Sequence, residues 1–190
     1  MKTDIILAGV GGQGILTIAA VIGFASLHEK LFIKQSEVHG MSQRGGAVQS
    51  HLRISSDPVS SDLIPLGRAS LILSVEPMEA LRYLPYLSKD GWVITSVVPF
   101  VNISDYPDMT MIENSIIKIA NHILLDAEKV AKECGSPKSS NIVMLGAASG
   151  HVDLSFEALR KGVEMVFGRK GQDMVDANLR ALDAGKTFSR

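Results

Sequence analysis

The chain of 190 residues contains one cysteine, Cys134. A single thiol cannot close an internal disulfide. Nor can it supply the several thiolates that structural zinc or an iron–sulfur cluster takes, so the composition suits a reducing cytoplasm. An excess of either charge is also missing. Nineteen Lys and Arg stand against twenty Asp and Glu, a formal charge of -1, which provides no summed positive field for nucleic acid or an anionic membrane. Long hydrophobic runs are absent too: residues 15–27 are interrupted by Thr17, Gly23 and Ser26 and fall short of the roughly 20 needed to cross a bilayer. No basic segment with a cleavage site precedes the strand-like residues that start at Asp4, so no signal peptide is expected. The histidines, His28, His39, His51, His122 and His151, are scattered. No two fall at H-x-x-x-H spacing, and the sequence predicts no metal site. A hydrolase triad drawn from Ser42, His39 and an aspartate fails because the chain has no G-x-S-x-G elbow. Cys134 falls at the C-terminal end of a predicted helix, where the negative end of the dipole disfavours a thiolate, which argues against a nucleophile.

With 46% hydrophobic and 21% charged residues, the composition is that of an ordinary folded domain and excludes disorder and coiled coil. Ile5-Ile6-Leu7-Ala8 is a continuous apolar run closed by glycines, which predicts a strand buried on both faces. Residues 15–28 are apolar nearly all round and predict a deeply packed helix. Residues 31–38 and 47–54 alternate and predict two strands with a Gly45-Gly46 turn between them. Residues 69–75 form another continuous run. Pro77 then opens a helix that Pro85 stops. Further on, the sequence predicts a strand over 92–98, a helix over about 113–121 and a short apolar run, Ile123-Leu124-Leu125. Asp126 should cap a small helix ending at Gly135. Residues 136–140 read as an exposed loop, and 141–149 are apolar and small. Phe156, Leu159, Val163 and Val166 make one stripe of an amphipathic helix, and a last helix covers about 171–184. The pattern predicts one domain over 1–190. Its class is α/β, a Rossmann-like three-layer fold with a mostly parallel sheet and a helical C-terminal region.

Gly9, Gly11 and Gly14 spell G-x-G-x-x-G directly after a buried strand and before a helix. Such a loop turns tightly and aims unpaired N–H groups and the positive helix end at an anion, for which phosphate is the natural guest. Glu37, at the end of the second strand, falls where a dinucleotide site carries its ribose-binding acid. A stand-alone oxidoreductase using NAD(P) or FAD is therefore one reading. The bland alternative is that the glycines let a helix pack close to the sheet. The second feature is the long loop after Ser36, which carries Glu37, His39, Ser42, Gln43 and Arg44 at the carboxyl end of a strand, the edge where α/β folds place ligands. Arg44 beside two glycines suits a phosphate or carboxylate, and His39 can exchange a proton near neutral pH. A solvated loop of mixed charge is the competing reading. A third possibility is an interaction module that docks a partner through apolar helix surface.

Gly9-Val10-Gly11-Gly12-Gln13-Gly14 and Ser36-Glu37-Val38-His39-Gly40-Met41-Ser42-Gln43-Arg44-Gly45-Gly46 together resemble the gamma-type domain of the 2-oxoacid:ferredoxin oxidoreductases. Glu76-Pro77-Met78-Glu79-Ala80-Leu81-Arg82-Tyr83-Leu84 and Asn141-Ile142-Val143-Met144-Leu145-Gly146-Ala147 look most like the small subunit of the indolepyruvate branch. The match runs over nearly the whole chain. The resemblance implies oxidative decarboxylation of aryl pyruvates, with the acyl group passed to coenzyme A and electrons to ferredoxin. The chain has no Gly-Asp-Gly triplet such as begins the family's thiamine diphosphate motif, and its one cysteine holds no cluster. The resemblance therefore implies a large alpha subunit bearing thiamine diphosphate and iron–sulfur clusters, with ferredoxin met through the complex and coenzyme A shared. It also implies roles: Gly11, Gly12, Gln13 and Gly14 as backbone donors, and Glu37, His39, Ser42, Gln43 and Arg44 as contacts to the partner, its cofactor or coenzyme A.

Overall fold

The structure, a computed structural model, describes residues 1–40 and 45–189. Its six-stranded sheet has the order β2-β3-β1-β4-β5-β6. Strand β1 (Lys2–Val10) leads through helix α1 (Ile15–His28) to β2 (Phe32–His39), and a hairpin returns as β3 (Ala47–Ser55). Strands β4 (Ala69–Ser74), β5 (Leu87–Ser96) and β6 (His122–Leu125) run parallel to β1, while β3 is antiparallel to both β1 and β2. The sheet is thus mostly parallel, with one inverted strand.

Side-chain alternation along the central strands separates two cores. Ile5, Leu7, Leu71, Leu73 and Ile94 face one core, which is covered by α1, α4 (Ala127–Glu133), α5 (Ser140–Ala147), α6 (Phe156–Phe167) and α7 (Gln172–Lys186). Ile6, Ala8, Ile72 and Val93 face the other, under α2 (Pro77–Arg82), α3 (Met109–Ile117) and the segment that carries Ile64. That segment is held to the sheet by Arg53. Its guanidinium pairs with Asp4 at 2.8 and 3.2 Å and donates to the carbonyls of Ser61 and Leu63 at 2.9 and 3.0 Å.

Helix α1 has the boundaries its sequence predicts, but it is packed on one side only. Ile15, Ile18, Val21 and Ile22 are buried, whereas Leu16, Phe24 and Leu27 are exposed. Strand β5 starts at Leu87, earlier than the apolar run suggests, and ends at Ser96, whose hydroxyl accepts the Val98 N–H at 3.1 Å and turns the chain. Helix α3 starts and stops earlier than expected, because the Asp108 carboxylate caps it at the Thr110 N–H, 2.8 Å away. Residues 136–140 are an exposed loop only at Pro137 and Lys138. Ser136 and Ser139 are buried, joined hydroxyl to hydroxyl at 2.7 Å in the turn that launches α5. No helix among the described residues is long and apolar enough to cross a membrane.

Candidate functional site

The carboxyl ends of β1, β4 and β5 share one edge of the sheet, and a cavity of about 530 Å³ opens there. Its walls come from Gly11–Gly14, Val75, Ser96, Phe100, the start of α5 and residues of α7. Strand order places it there, since the α/β edge beyond the strand ends leaves room between the outgoing loops.

Within the glycine loop the donors divide in two. The Val10 N–H is accepted by the Gln13 side-chain oxygen at 2.8 Å, the Gln13 N–H by the Val10 carbonyl at 3.1 Å, and the Gly11 N–H by the Gly46 carbonyl at 2.8 Å. Gly11 and Gln13 therefore brace the loop instead of presenting their N–H groups to a ligand. Gly12 and Gly14, with φ of +103° and +80°, keep their N–H groups without a partner among the described residues. Gly9 is a packing glycine: a Cβ there would stand 2.7 Å from Ile15 Cδ1.

Two helices start at this cavity without a side-chain cap. Helix α1 begins at Gly14 and α5 at Ser139, and neither N-terminus donates an N–H to a capping side chain. Helix α7 also starts uncapped, at Gly171, whereas α2, α3, α4 and α6 are capped by Glu76, Asp108, Asp126 and Ser155. Uncapped amide groups carry the positive end of the helix dipole. Lys138 and Lys170 also line the cavity, with Thr17, Ser139 and Ser140. The one acidic lining group, Glu128, is 3.9 Å from Lys132. The arrangement suits a phosphate-bearing anion held by backbone donors and two ammonium groups.

The candidates of the second loop are less closely gathered. Gly45 donates to the Gly11 carbonyl at 3.4 Å, so the β2–β3 connection does meet the glycine loop. Ser42, Gln43, Arg44 and the side chain of His39 lie outside the described residues. Glu37 is opposite Ser50 of β3, and Ser50 in turn is opposite Leu7 of β1. With β3 inserted, Glu37 stands two strand spacings from β1, about 10 Å, and its carboxylate accepts from the Gln35 amide at 3.3 Å. A ribose-binding acid sits on a strand beside β1, so the dinucleotide reading loses its acid here.

Lys138, Lys170 and Asn141 are the contributors the sequence reading passed over. Asn141 opens a stretch that reads as apolar and small and that carries part of the family resemblance with no role assigned to it, yet its amide donates to the Gly14 carbonyl at 3.1 Å. The available signal was Ser136-Pro137-Lys138-Ser139-Ser140 itself, a hydroxyl-rich run with a lysine directly before a helix.

Residues 4–188 match the family described as pyruvate ferredoxin/flavodoxin oxidoreductase. The chain belongs to this family. It is 38% identical to indolepyruvate oxidoreductase subunit IorB of Pyrococcus horikoshii, over 96% of this chain and 93% of that one. Among solved structures, the gamma subunit of a keto/oxoacid ferredoxin oxidoreductase from Geobacter sulfurreducens superposes with a TM-score of 0.70 at 25% identity, covering 100% of this chain and 97% of that one. The 2-oxoglutarate:ferredoxin oxidoreductase of Magnetococcus marinus, solved with 2-oxoglutarate, coenzyme A and succinyl-CoA, shares the fold with a TM-score of 0.76 at 22% identity. There the match covers 99% of this chain and 31% of the longer one. The family match therefore runs over residues 4–188, and the fold is shared with solved members.

Proposed function

We propose that this chain is the small subunit of a cytoplasmic indolepyruvate-type 2-oxoacid:ferredoxin oxidoreductase, and that its cavity takes the phosphates of coenzyme A. In the overall reaction the 2-oxoacid loses carbon dioxide, its acyl carbon is oxidised by two electrons that leave on ferredoxin, and the acyl group ends on the coenzyme A sulfur. The large partner holds thiamine diphosphate and the iron–sulfur clusters. One cysteine and no Gly-Asp-Gly triplet leave this chain without ligands for either group.

The observation that carries the ligand reading is that two uncapped helix starts and Lys138 and Lys170 line the same cavity. Backbone N–H groups of Gly12 and Gly14 supply oriented donors, and the lysines supply point charges that tolerate the several phosphate positions of a long ligand. A cavity of about 530 Å³ suits the phosphate-bearing end of coenzyme A and leaves the thiol arm to extend toward the partner. The 38% identity to an indolepyruvate oxidoreductase subunit over nearly full length supports aryl pyruvates as the substrate class.

Affinity-tagged chain, purified anaerobically from its own cytoplasm, tests the assembly. A brown complex with a much larger chain, reducing a viologen dye only when indolepyruvate and coenzyme A are both present, is the expected result. A colourless solitary protein that takes up NAD, NADP or FAD in calorimetric titration would replace this reading with the dinucleotide one.

A further inference from the structure

We propose that Glu76 is a positioning residue that sets the mouth of the cavity from behind, by fixing residues 97–108 and through them the Gly45–Gly46 turn against the glycine loop. The inference rests on the cavity being the coenzyme A site only for its kinetic consequence; the positional linkage stands by itself.

Glu76 is fully buried at the end of β4. Among the described residues it forms no ion pair; the neighbouring Arg82 binds Glu79 instead, at 3.0 Å. A buried carboxylate is costly to desolvate unless donors surround it, and three do. Oε2 accepts the Glu79 N–H at 2.8 Å, the cap of α2. Oε1 accepts the Phe100 N–H at 3.3 Å and the Tyr106 hydroxyl. Ser, Thr or Asp would cap α2 as well as glutamate does, but the cap uses one oxygen only. The other reaches out to a segment that follows the next strand.

From that segment the linkage continues to the site. Phe100 lines the cavity, and its Cε1 is 3.9 Å from where a Cβ on Gly45 would stand. The Asn102 side-chain amide donates to the Gly45 carbonyl. The Gly45 N–H meets the Gly11 carbonyl at 3.4 Å, and the Gly11 N–H donates to the Gly46 carbonyl at 2.8 Å. Glu76 is thus joined to the glycine loop through hydrogen bonds at Phe100, Asn102 and Gly45, linked by the backbone of residues 100–102. Burial first, then the Glu76 carboxylate, push the Tyr106 phenol far above its ordinary pKa, so the hydroxyl stays a donor throughout the working pH range.

Tyr106→Phe and Asn102→Ala test the linkage, since neither side chain lines the cavity and Tyr106→Phe removes only a hydroxyl. Amide hydrogen exchange in the isolated full chain is expected to speed up at Gly11 by about tenfold in each variant, with Ile6 in the sheet centre unchanged. In the assembled enzyme the KM for coenzyme A is expected to rise about fivefold while kcat is retained. The double variant should do little more than either single one, because both cut the same path. Wild-type exchange at Gly11 in both variants overturns the proposal, whatever the kinetics. Faster exchange with an unmoved KM upholds the positioning role and counts against coenzyme A as the ligand.

Discussion

The side-chain amide of Asn141 donates to the carbonyl of Gly14, 127 positions earlier in the chain, at 3.1 Å. This bond ties the start of α5 to the start of α1 and so holds together the two uncapped helix ends that face the cavity. Asn141→Ala removes a hydrogen bond worth about 1 kcal/mol, which lowers the melting temperature of a chain this size by about 3 °C. Thermal denaturation of the isolated chain measures it. The same variant should raise the KM for coenzyme A, because the two sets of backbone donors are no longer held in one geometry.

Gly14→Ala should be worse than Asn141→Ala. Gly14 has φ of +80°, and a Cβ there would lie 2.5 Å from Asn141 Nδ2. The left-handed backbone alone costs a substituted residue about 1 kcal/mol or more, and the contact forces Asn141 aside. Adding Asn141→Ala to Gly14→Ala should recover part of the lost melting temperature, since it removes the clash but not the strain. No recovery in the double variant would show that the contact does not limit the site.

The placement of α5 depends on two more glycines. A Cβ on Gly146 would stand 2.2 Å from the Leu182 carbonyl oxygen, and one on Gly185 would stand 2.0 Å from that of Val143. Backbone cannot yield as a side chain can, so α5 and α7 would have to separate. Gly146→Ala or Gly185→Ala should each destabilise the chain by about 2 kcal/mol or more, read from urea denaturation midpoints. Gly168→Ala, where a Cβ meets nothing within 4 Å, is the neutral control.

Acid should weaken the fold through His51. The Ile64 N–H donates to its Nδ1 at 3.0 Å, and the Gln49 amide lies 2.6 Å from Nε2. The proton therefore sits on Nε2, and the Gln49 amide must turn its oxygen toward it. Protonating Nδ1 would set two N–H groups against each other. Burial holds the His51 pKa below its ordinary 6.5 and Arg53 lowers it further, with Asp62 opposing; the Tyr86 ring packs edge-on at 5.2 Å. The unfolded chain therefore takes up this proton first as pH falls. The contribution is complete above pH 6.5 and is lost below it. Burial lowers the His151 pKa as well, beside Trp92. Melting temperatures should fall from pH 7 to pH 5, and His51→Asn, which keeps an acceptor for Ile64, should flatten part of that fall. An unchanged slope in His51→Asn would remove His51 from the account.

Much of the scaffold was legible in the sequence because its signals are local. The run at Ile5 to Ala8 marks a strand buried on both faces, the residues of α1 end where apolar residues end, and Asp126 caps α4 as its side chain and position suggest, accepting the Lys129 N–H at 2.9 Å. Strand order was not local. Alternation at Val48, Ser50, Leu52 and Ile54 looks the same whether β3 lies outside β2 or between β2 and β1, and only the second arrangement removes Glu37 from the glycine loop. The site was half legible for the same reason. Gly14 announces itself by spacing and Gly12 only through the family resemblance, whereas Lys138 and Lys170 lie far apart in sequence and line one cavity in a fold where α7 packs against α5 through glycine. Glu76 reads locally as part of a helix start; its second oxygen has a partner that only the tertiary fold supplies.

The most direct test replaces both lysines that line the cavity, Lys138→Ala with Lys170→Ala, in the assembled multi-subunit enzyme. The rate of indolepyruvate-dependent viologen reduction is then followed against coenzyme A concentration. Losing two charge-assisted contacts to phosphate should raise the KM for coenzyme A by roughly tenfold or more at low salt, with kcat and the KM for indolepyruvate unchanged. A wild-type KM for coenzyme A in that variant would contradict the assignment of the cavity.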